Sequence, residues 1–358
     1  FSFDTVFTRV ERTDTEDYIG LKDAYADYFL VGTAVSAQSL FDNEAMILKN
    51  FNSITCENAM KIYAIQPREG VWQFAEADAI ADFCRANGIK MRGHTLVWAE
   101  AYEHCPWMLY DGDTFASEEL FYARLKEHIS TIIERYDDVV YCWDVVNEPM
   151  GYDRKSEYKD YPIYRAFGPD YVKKTLEFAA ETLDRLGSDA KLFLNETKVV
   201  NNNVKADYTY NLIKRFLAHG IRVDGVGLQG HFDFYSPNES ARRLDKTIKR
   251  FASLGIDVEI TEMDITVYDD ILPGVKYDAL PAWREAFQRE RYRAYFKVLR
   301  DNADVITNVT FWGVHDGVSY RGISKDRQDW PLLFDKDANP KSNYYAVTDF
   351  YFTRSLFE

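Results

Sequence analysis

A chain of 358 residues can bury a large core, and an α/β barrel can use that length as one domain. With 43 Lys and Arg against 58 Asp and Glu, the formal charge of −15 disfavours nucleic acid and anionic surfaces as partners; a neutral polymer with sparse acidic groups stays open. No apolar run reaches transmembrane length, so membrane insertion is not expected, and the 16% aromatic content, with 7 Trp and 25 Tyr, suits sugar faces as well as a core.

The chain opens Phe1-Ser-Phe-Asp-Thr5, with neither initiator Met nor signal peptide, and reads as a processed or truncated product. Residues 1–28 precede the first strand pattern and are expected to pack on the rest as an N-terminal segment. From there, β-rich runs alternate with helical patterns. The order is strand 29–35, strand 51–55, helix 59–65, helix 75–87, strand 90–95, helix 117–136, strand 139–146 and helix 170–186. Strand 191–194, helix 205–219, strand 225–229, helix 239–254, strand 257–261, helix 282–302 and strand 305–311 complete it. Gly88, Gly220 and Gly255 end helices just before strands, as a left-handed C-cap allows.

Eight strands alternating with helices argue for an α/β fold of the closed (β/α)8 TIM-barrel kind. An open nucleotide-binding sheet lacks its main support, because no Gly-x-Gly-x-x-Gly turn follows the first strand. No linker, repeat or low-complexity tract divides the chain, so residues 1–358 read as a single catalytic domain. Cys56, Cys84, Cys105 and Cys142 have no ligand-like spacing and read as buried thiols.

Barrel enzymes place their chemistry at the C-terminal ends of strands. His94, Asn147, Glu148, Gln229, His231, Glu262 and Asp264 all fall at or just past such ends. Two carboxylates among them invite a glycosidase reading, one as proton donor and one as nucleophile. Glu148, in Trp143-Asp-Val-Val-Asn-Glu-Pro149, is the expected general acid, and Pro149 disfavours α geometry at it. That role asks for a raised pKa, expected from apolar surroundings and the nearby negative nucleophile.

Glu262 is the expected nucleophile, with Glu259 as its rival three residues earlier. Glu262 is preferred because it ends the β-branched run two residues before Asp264, leaving Glu259 to a structural pairing inside or below the barrel. His231 would bond Glu262 while Asp264 fixes its ring. Asn147 would donate to a sugar hydroxyl beside the scissile bond, and Trp312 would floor the cleft. A separation of about 5–5.5 Å between the carboxylates gives retention, and about 6.5–9.5 Å gives inversion. Zinc is disfavoured by the lack of a His-Glu-x-x-His helix, and a serine hydrolase by the lack of a Gly-x-Ser-x-Gly elbow.

The ordered blocks Phe51-Asn-Ser-Ile-Thr-Cys-Glu-Asn-Ala-Met-Lys61, Arg92-Gly-His-Thr-Leu-Val-Trp98, Trp143–Pro149, Gly225-Val-Gly-Leu-Gln-Gly-His231, Ile260-Thr-Glu-Met-Asp264 and Thr310-Phe-Trp-Gly313 closely resemble the family 10 glycoside hydrolases. These are chiefly retaining endo-β-1,4-xylanases. The resemblance implies Glu148 as acid/base, Glu262 as nucleophile, and His231 with Asp264 as its support. Asn147 and Gln229 would surround the glycone-side sugar, and Glu57, Asn58 and Lys61, helped by His94 and Trp98, the next sugar outward. It further implies xylan or xylo-oligosaccharide as substrate, no metal or organic cofactor, and a secreted, cell-surface or periplasmic site of action, since the polymer cannot enter a cell.

Departures from the family pattern cluster around the outer glycone pocket. Cys56 stands where Pro is usual, Ile62 where Trp is usual, and Ala99-Glu-Ala101 where His-Ser-Gln is common. Asn195-Glu-Thr-Lys198 replaces Asn-Asp-Tyr-Asn, and Tyr320 replaces a second roofing Trp, with Trp312 retained. Losing this bulk is expected to admit substituted xylose, and Lys198 could offer charge to a uronate. Two rivals are a β-1,4- or mixed-linkage glucanase on the same barrel and a non-catalytic xylan-binding protein.

Overall fold

The computed structural model describes residues 18–269 and 275–354. Its centre is a ring of eight parallel strands: β1 (Leu30–Val35), β2 (Ser53–Cys56), β3 (Lys90–Trp98), β4 (Val140–Asn147), β5 (Lys191–Glu196), β6 (Gly225–Leu228), β7 (Asp257–Ile265) and β8 (Ile306–Phe311). Each pairs with the next, and β8 returns to β1 with Leu30 beside Asn308 and Thr33 beside Phe311, closing the ring. The outer layer comprises α1 (Glu44–Asn50), α2 (Ala75–Asn87), α3 (Glu118–Tyr136), α4 (Asp170–Leu186), α5 (Asn203–Ala218), α6 (Ala241–Ala252), α7 (Ala282–Asp301) and α8 (Ser342–Arg354). This is the (β/α)8 TIM barrel expected from the alternating pattern.

Local chemistry sets the helix ends. Ser117, Asn202 and Ser240 accept backbone N–H groups from the first turns of α3, α5 and α6, satisfying donors that have no intrahelical partner. Gly88 caps α2 with φ of 63°, and Gly220 and Gly255, just past α5 and α6, also take positive φ. Gly93 serves packing instead. A Cβ there would sit 2.2 Å from Trp143, so its absence lets that buried indole lie against β3.

The three largest departures from the expected boundaries lie near the barrel mouth. β3 and β7 run on to Trp98 and Ile265, with pairing register shifts between His94 and Val97 and between Ile260 and Met263. Such irregularities turn rim side chains in ways that simple alternation cannot reveal. The expected helix at 59–65 shrinks to Ile62–Ile65, because Lys61 is extended at the N-cap and its N–H bonds Asn58 O at 2.9 Å. Asn58 and Lys61 therefore belong to a turn at the barrel mouth.

Of the N-terminal segment, residues 18–28 are described and pack on the barrel; residues 1–17 lie outside the described residues. Tyr18 meets Tyr344 edge-on at 4.9 Å, and Leu21 N–H bonds Asn50 Oδ1 at 3.3 Å. All four cysteines are free and buried, as their spacing implied. Among the described residues, no helix is long and apolar enough to cross a membrane.

The barrel interior holds a buried ion cluster. Arg92 Nε donates to Glu259 at 2.7 Å, and the guanidinium also bonds Asp144, which bonds His94 Nδ1 at 2.8 Å. Tyr141 and Thr307 hydroxyls complete the shell of Glu259. Removing one partner of a buried pair typically costs about 3–5 kcal/mol, because a charge is left behind without solvent. Glu259→Ala is therefore expected to lower the denaturant midpoint substantially, and an unchanged midpoint would contradict a structural role.

Candidate active site

Glu148 stands one residue past β4, with its backbone N–H on Asn195 O at 2.9 Å and φ of +54°. A left-handed backbone is costly for a non-glycine residue, and Pro149 removes the right-handed α alternative. Its two carboxylate oxygens are both engaged. Oε1 accepts from Gln229 Nε2 at 2.8 Å and Oε2 from Lys159 Nζ at 2.5 Å.

Glu262 lies within β7, its N–H on Gln229 O at 2.7 Å. Asn195 Nδ2 donates to Oε1 at 2.8 Å, and His231 Nε2 lies 3.0 Å from Oε2. The other ring nitrogen, Nδ1, meets Asp264 Oδ2 at 2.8 Å, and Arg321 Nε donates to Asp264 Oδ1 at 2.9 Å. Burial disfavours a charged imidazole, but Asp264 and Glu262 outweigh it and hold His231 at a pKa of about 9. Imidazolium then donates to both carboxylates at neutral pH. Asp264 is held down in spite of burial by Arg321 and His231. The result is a nucleophile-side chain of charges, Arg321–Asp264–His231–Glu262, that fixes one rotamer of Glu262.

A continuous set of four hydrogen bonds joins the two carboxylates. Glu148 Oε1 accepts from Gln229, which also donates to Asn147 Oδ1 at 3.3 Å; Asn147 Oδ1 accepts from Asn195 at 3.0 Å, and Asn195 donates to Glu262. Four successive strands contribute to it. The Asn147 carbonyl is taken up in this set, accepting from both Asn195 and Gln229.

Around this pair the remaining residues singled out in the sequence assemble. Trp312 lies edge-on to His94 at 5.3 Å and to His231 at 6.3 Å, and Tyr320 stands 5.3 Å from the His231 ring. Lys61 Nζ sits 4.9 Å from the Trp98 ring and donates to Asn58 Oδ1 at 3.0 Å. Burial raises the Glu57 carboxyl and Glu262 adds to it, while Lys61 opposes; Lys61 is lowered by burial against Glu262, Glu57 and Glu148. Glu259 stays with Arg92 inside the barrel, away from this group. Lys198 reaches the Tyr152 ring at 6.0 Å, beside Lys159 and Lys205, on the acid/base side.

One expectation fails. The Glu148 carboxyl is not raised. Burial pushes it up, but the ammonium groups of Lys159 and Lys205 outweigh that and bring it down to about 2. Apolar surroundings do not decide this carboxyl; a buried cation does. Sequence reasoning missed Lys159, Asn195 as the bridge, Glu196 with Lys205 (2.7 Å), and Arg321. Asn195 and Glu196 end a short apolar run, Leu192-Phe-Leu194, much as Glu262 follows Val258–Thr261, so a strand-end signal was there to find; Lys159 and Arg321 carry no local signal.

A parallel barrel with two acidic side chains linked across its C-terminal mouth has the layout of a glycosidase. Comparison with known proteins makes this specific. The Glycosyl hydrolase family 10 model matches residues 20–350. A beta-1,4-xylanase of Dictyoglomus thermophilum is 37% identical over 332 residues, covering 92% of this chain and 90% of that protein. An endo-1,4-beta-xylanase/feruloyl esterase of Xylanibacter ruminicola is 38% identical; 92% of this chain is covered, but only 47% of that longer protein. The solved structure of xylanase XynB from Paenibacillus barcinonensis superposes with a TM-score of 0.88 at 34% identity, covering 93% of this chain and 99% of that one. The chain belongs to glycosyl hydrolase family 10.

Proposed function

We propose that this chain is a retaining endo-β-1,4-xylanase that cuts internal xylosidic bonds of xylan by double displacement. Glu262 attacks the anomeric carbon while Glu148 protonates the departing oxygen, giving a glycosyl ester on Glu262. Glu148 then takes a proton from water, whose oxygen displaces Glu262 and leaves the product with its original anomeric configuration. The hydrogen-bonded connection between Glu148 and Glu262 carries this reading, because it holds both carboxylates at one opening. The names of the relatives support the substrate, as does a solved mutant, 35% identical with a TM-score of 0.87, bound to xylotriose.

Asn147, Gln229, Trp312 and Tyr320 would hold the glycone-side sugar, and Glu57, Asn58, Lys61, His94 and Trp98 the next one. Ala101 is small and buried where the family commonly has an amide, and Tyr320 replaces a tryptophan, which supports tolerance of substituted xylose. Residues 1–358 would act as one catalytic domain, wherever the polymer is met: secreted, on the cell surface or in the periplasm. Parallel digestion of bare xylan, substituted xylan and carboxymethyl-cellulose tests the reading. Both xylans should release reducing ends, substituted xylan with a changed spacing of cuts, while the cellulose derivative should not. Hydrolysis favouring the glucan would overturn the substrate, and binding without turnover would overturn the enzyme.

A further inference from the structure

Lys159 reaches Glu148 because the segment after β4 doubles back. Gly151 N–H bonds Glu157 O at 2.8 Å, Lys159 N–H bonds Pro149 O at 3.0 Å, and Met150 pairs antiparallel with Tyr158. The two termini of this loop are thus stitched together, which returns residue 159 to the mouth 11 positions after Glu148. Its side chain is 9% exposed, and that of Glu148 15%. The rings of Tyr152 and Tyr161 lie 5.1 and 5.8 Å from the ammonium. A buried cation and a buried carboxylate in contact are each held in the charged form, and Lys159 is indeed raised by Glu148 and Glu196 against the effect of burial.

Double displacement makes opposite demands on Glu148: protonated in the first half-reaction, ionised in the second. An ion pair favours only the second. A proton placed on Oε2 would face the hydrogens of the ammonium, so the acid form and the close Lys159 contact exclude one another at that oxygen. On the reading of Glu148 as acid/base, we propose that Lys159 is a positioning residue that times proton occupancy at Glu148. In contact, it keeps Glu148 ionised, ready to take a proton from water. When the leaving-group sugar enters beside Oε2, the contact loosens and Glu148 takes up from solvent the proton that it then delivers to the glycosidic oxygen. The proton gained from water in the second half-reaction returns to solvent as product departs and the pair re-forms.

Other groups bear on Glu148 as well: Glu196 from β5, Lys205 from α5, Gln229 after β6, Tyr152 and Tyr161 from its own loop, Lys61 after β2, and Tyr320 after β8. All of these persist when only residue 159 is changed, so a comparison of variants isolates its charge.

The test combines the pH dependence of kcat/KM on xylotetraose with carbon-13 titration of the Glu148 carboxyl in the intact protein. The proteins are wild type, Lys159→Met, Lys159→Gln and Lys159→Arg. Because kcat/KM reports the free enzyme, loss of the cation should move the alkaline limb to higher pH by about one unit or more in the Met and Gln variants. The Glu148 carboxyl should titrate higher by a similar amount, and Arg should restore wild-type behaviour. An activated aryl xyloside, which needs little protonation, should show no such shift. Identical titration of Glu148 in wild type and the Gln variant would overturn the proposal, whatever the rates. An inactive wild type would instead overturn the functional reading and leave the titration to judge Lys159.

Discussion

Replacing Glu262 by alanine is expected to reduce turnover of xylan by roughly 10⁴-fold or more while leaving the fold in place. Loss of a covalent nucleophile commonly costs that much, since the remaining groups have nothing to assist. The fold should survive because each neighbour keeps a partner. Asn195 Nδ2 still donates to Asn147, and His231 still meets Asp264. Removal of a negative charge also relieves Glu57, which Glu262 now pushes upward, though Lys61 and His231 lose a counter-charge. These opposing effects should keep the melting midpoint within about 5 °C of wild type. Retained activity, by reducing-sugar release on purified and folded protein, would remove Glu262 from the chemistry.

Glu148→Ala should separate substrates by their leaving groups. General acid catalysis contributes roughly 10²–10⁴-fold, and that factor should be lost for xylo-oligosaccharides, whose departing alkoxide needs the proton. An aryl xyloside with an acidic phenol needs little help, so its kcat/KM should stay within about tenfold of wild type. Its kcat should still fall, because the second half-reaction has lost its base. Equal losses in kcat/KM for both substrates would contradict the assignment. The same substitution strands the Lys159 ammonium beside Glu196 alone, so some loss of stability is also expected.

The barrel could be read from the chain because its signals are local and repeated. Buried β-branched runs such as Val258-Glu-Ile-Thr261 recur between amphipathic stretches, and polar residues gather at the same end of four of the strands. The carboxylates, His231, Asp264, Asn147 and Gln229 were visible for that reason. What escaped depends on contacts that local patterns do not encode. Lys159 reaches Glu148 only because a loop folds back and pairs Met150 with Tyr158, and Arg321 reaches Asp264 from 57 positions away. The direction of the Glu148 shift went with them. A carboxyl expected to be apolar-walled turned out to face two lysines, one of them on α5. The left-handed backbone of Glu148 and the register shifts in β3 and β7 were hidden too, since side-chain alternation carries no record of either.

The assigned division of labour can be read most directly by trapping the covalent intermediate. A 2-deoxy-2-fluoro xylobioside with a good leaving group slows the second half-reaction, and peptide mapping by mass spectrometry then locates the sugar. A single xylobiosyl group on Glu262, absent from the Glu262→Ala protein, is the expected result. A label on Glu148 or Glu259, or no label together with product of inverted anomeric configuration, would contradict it.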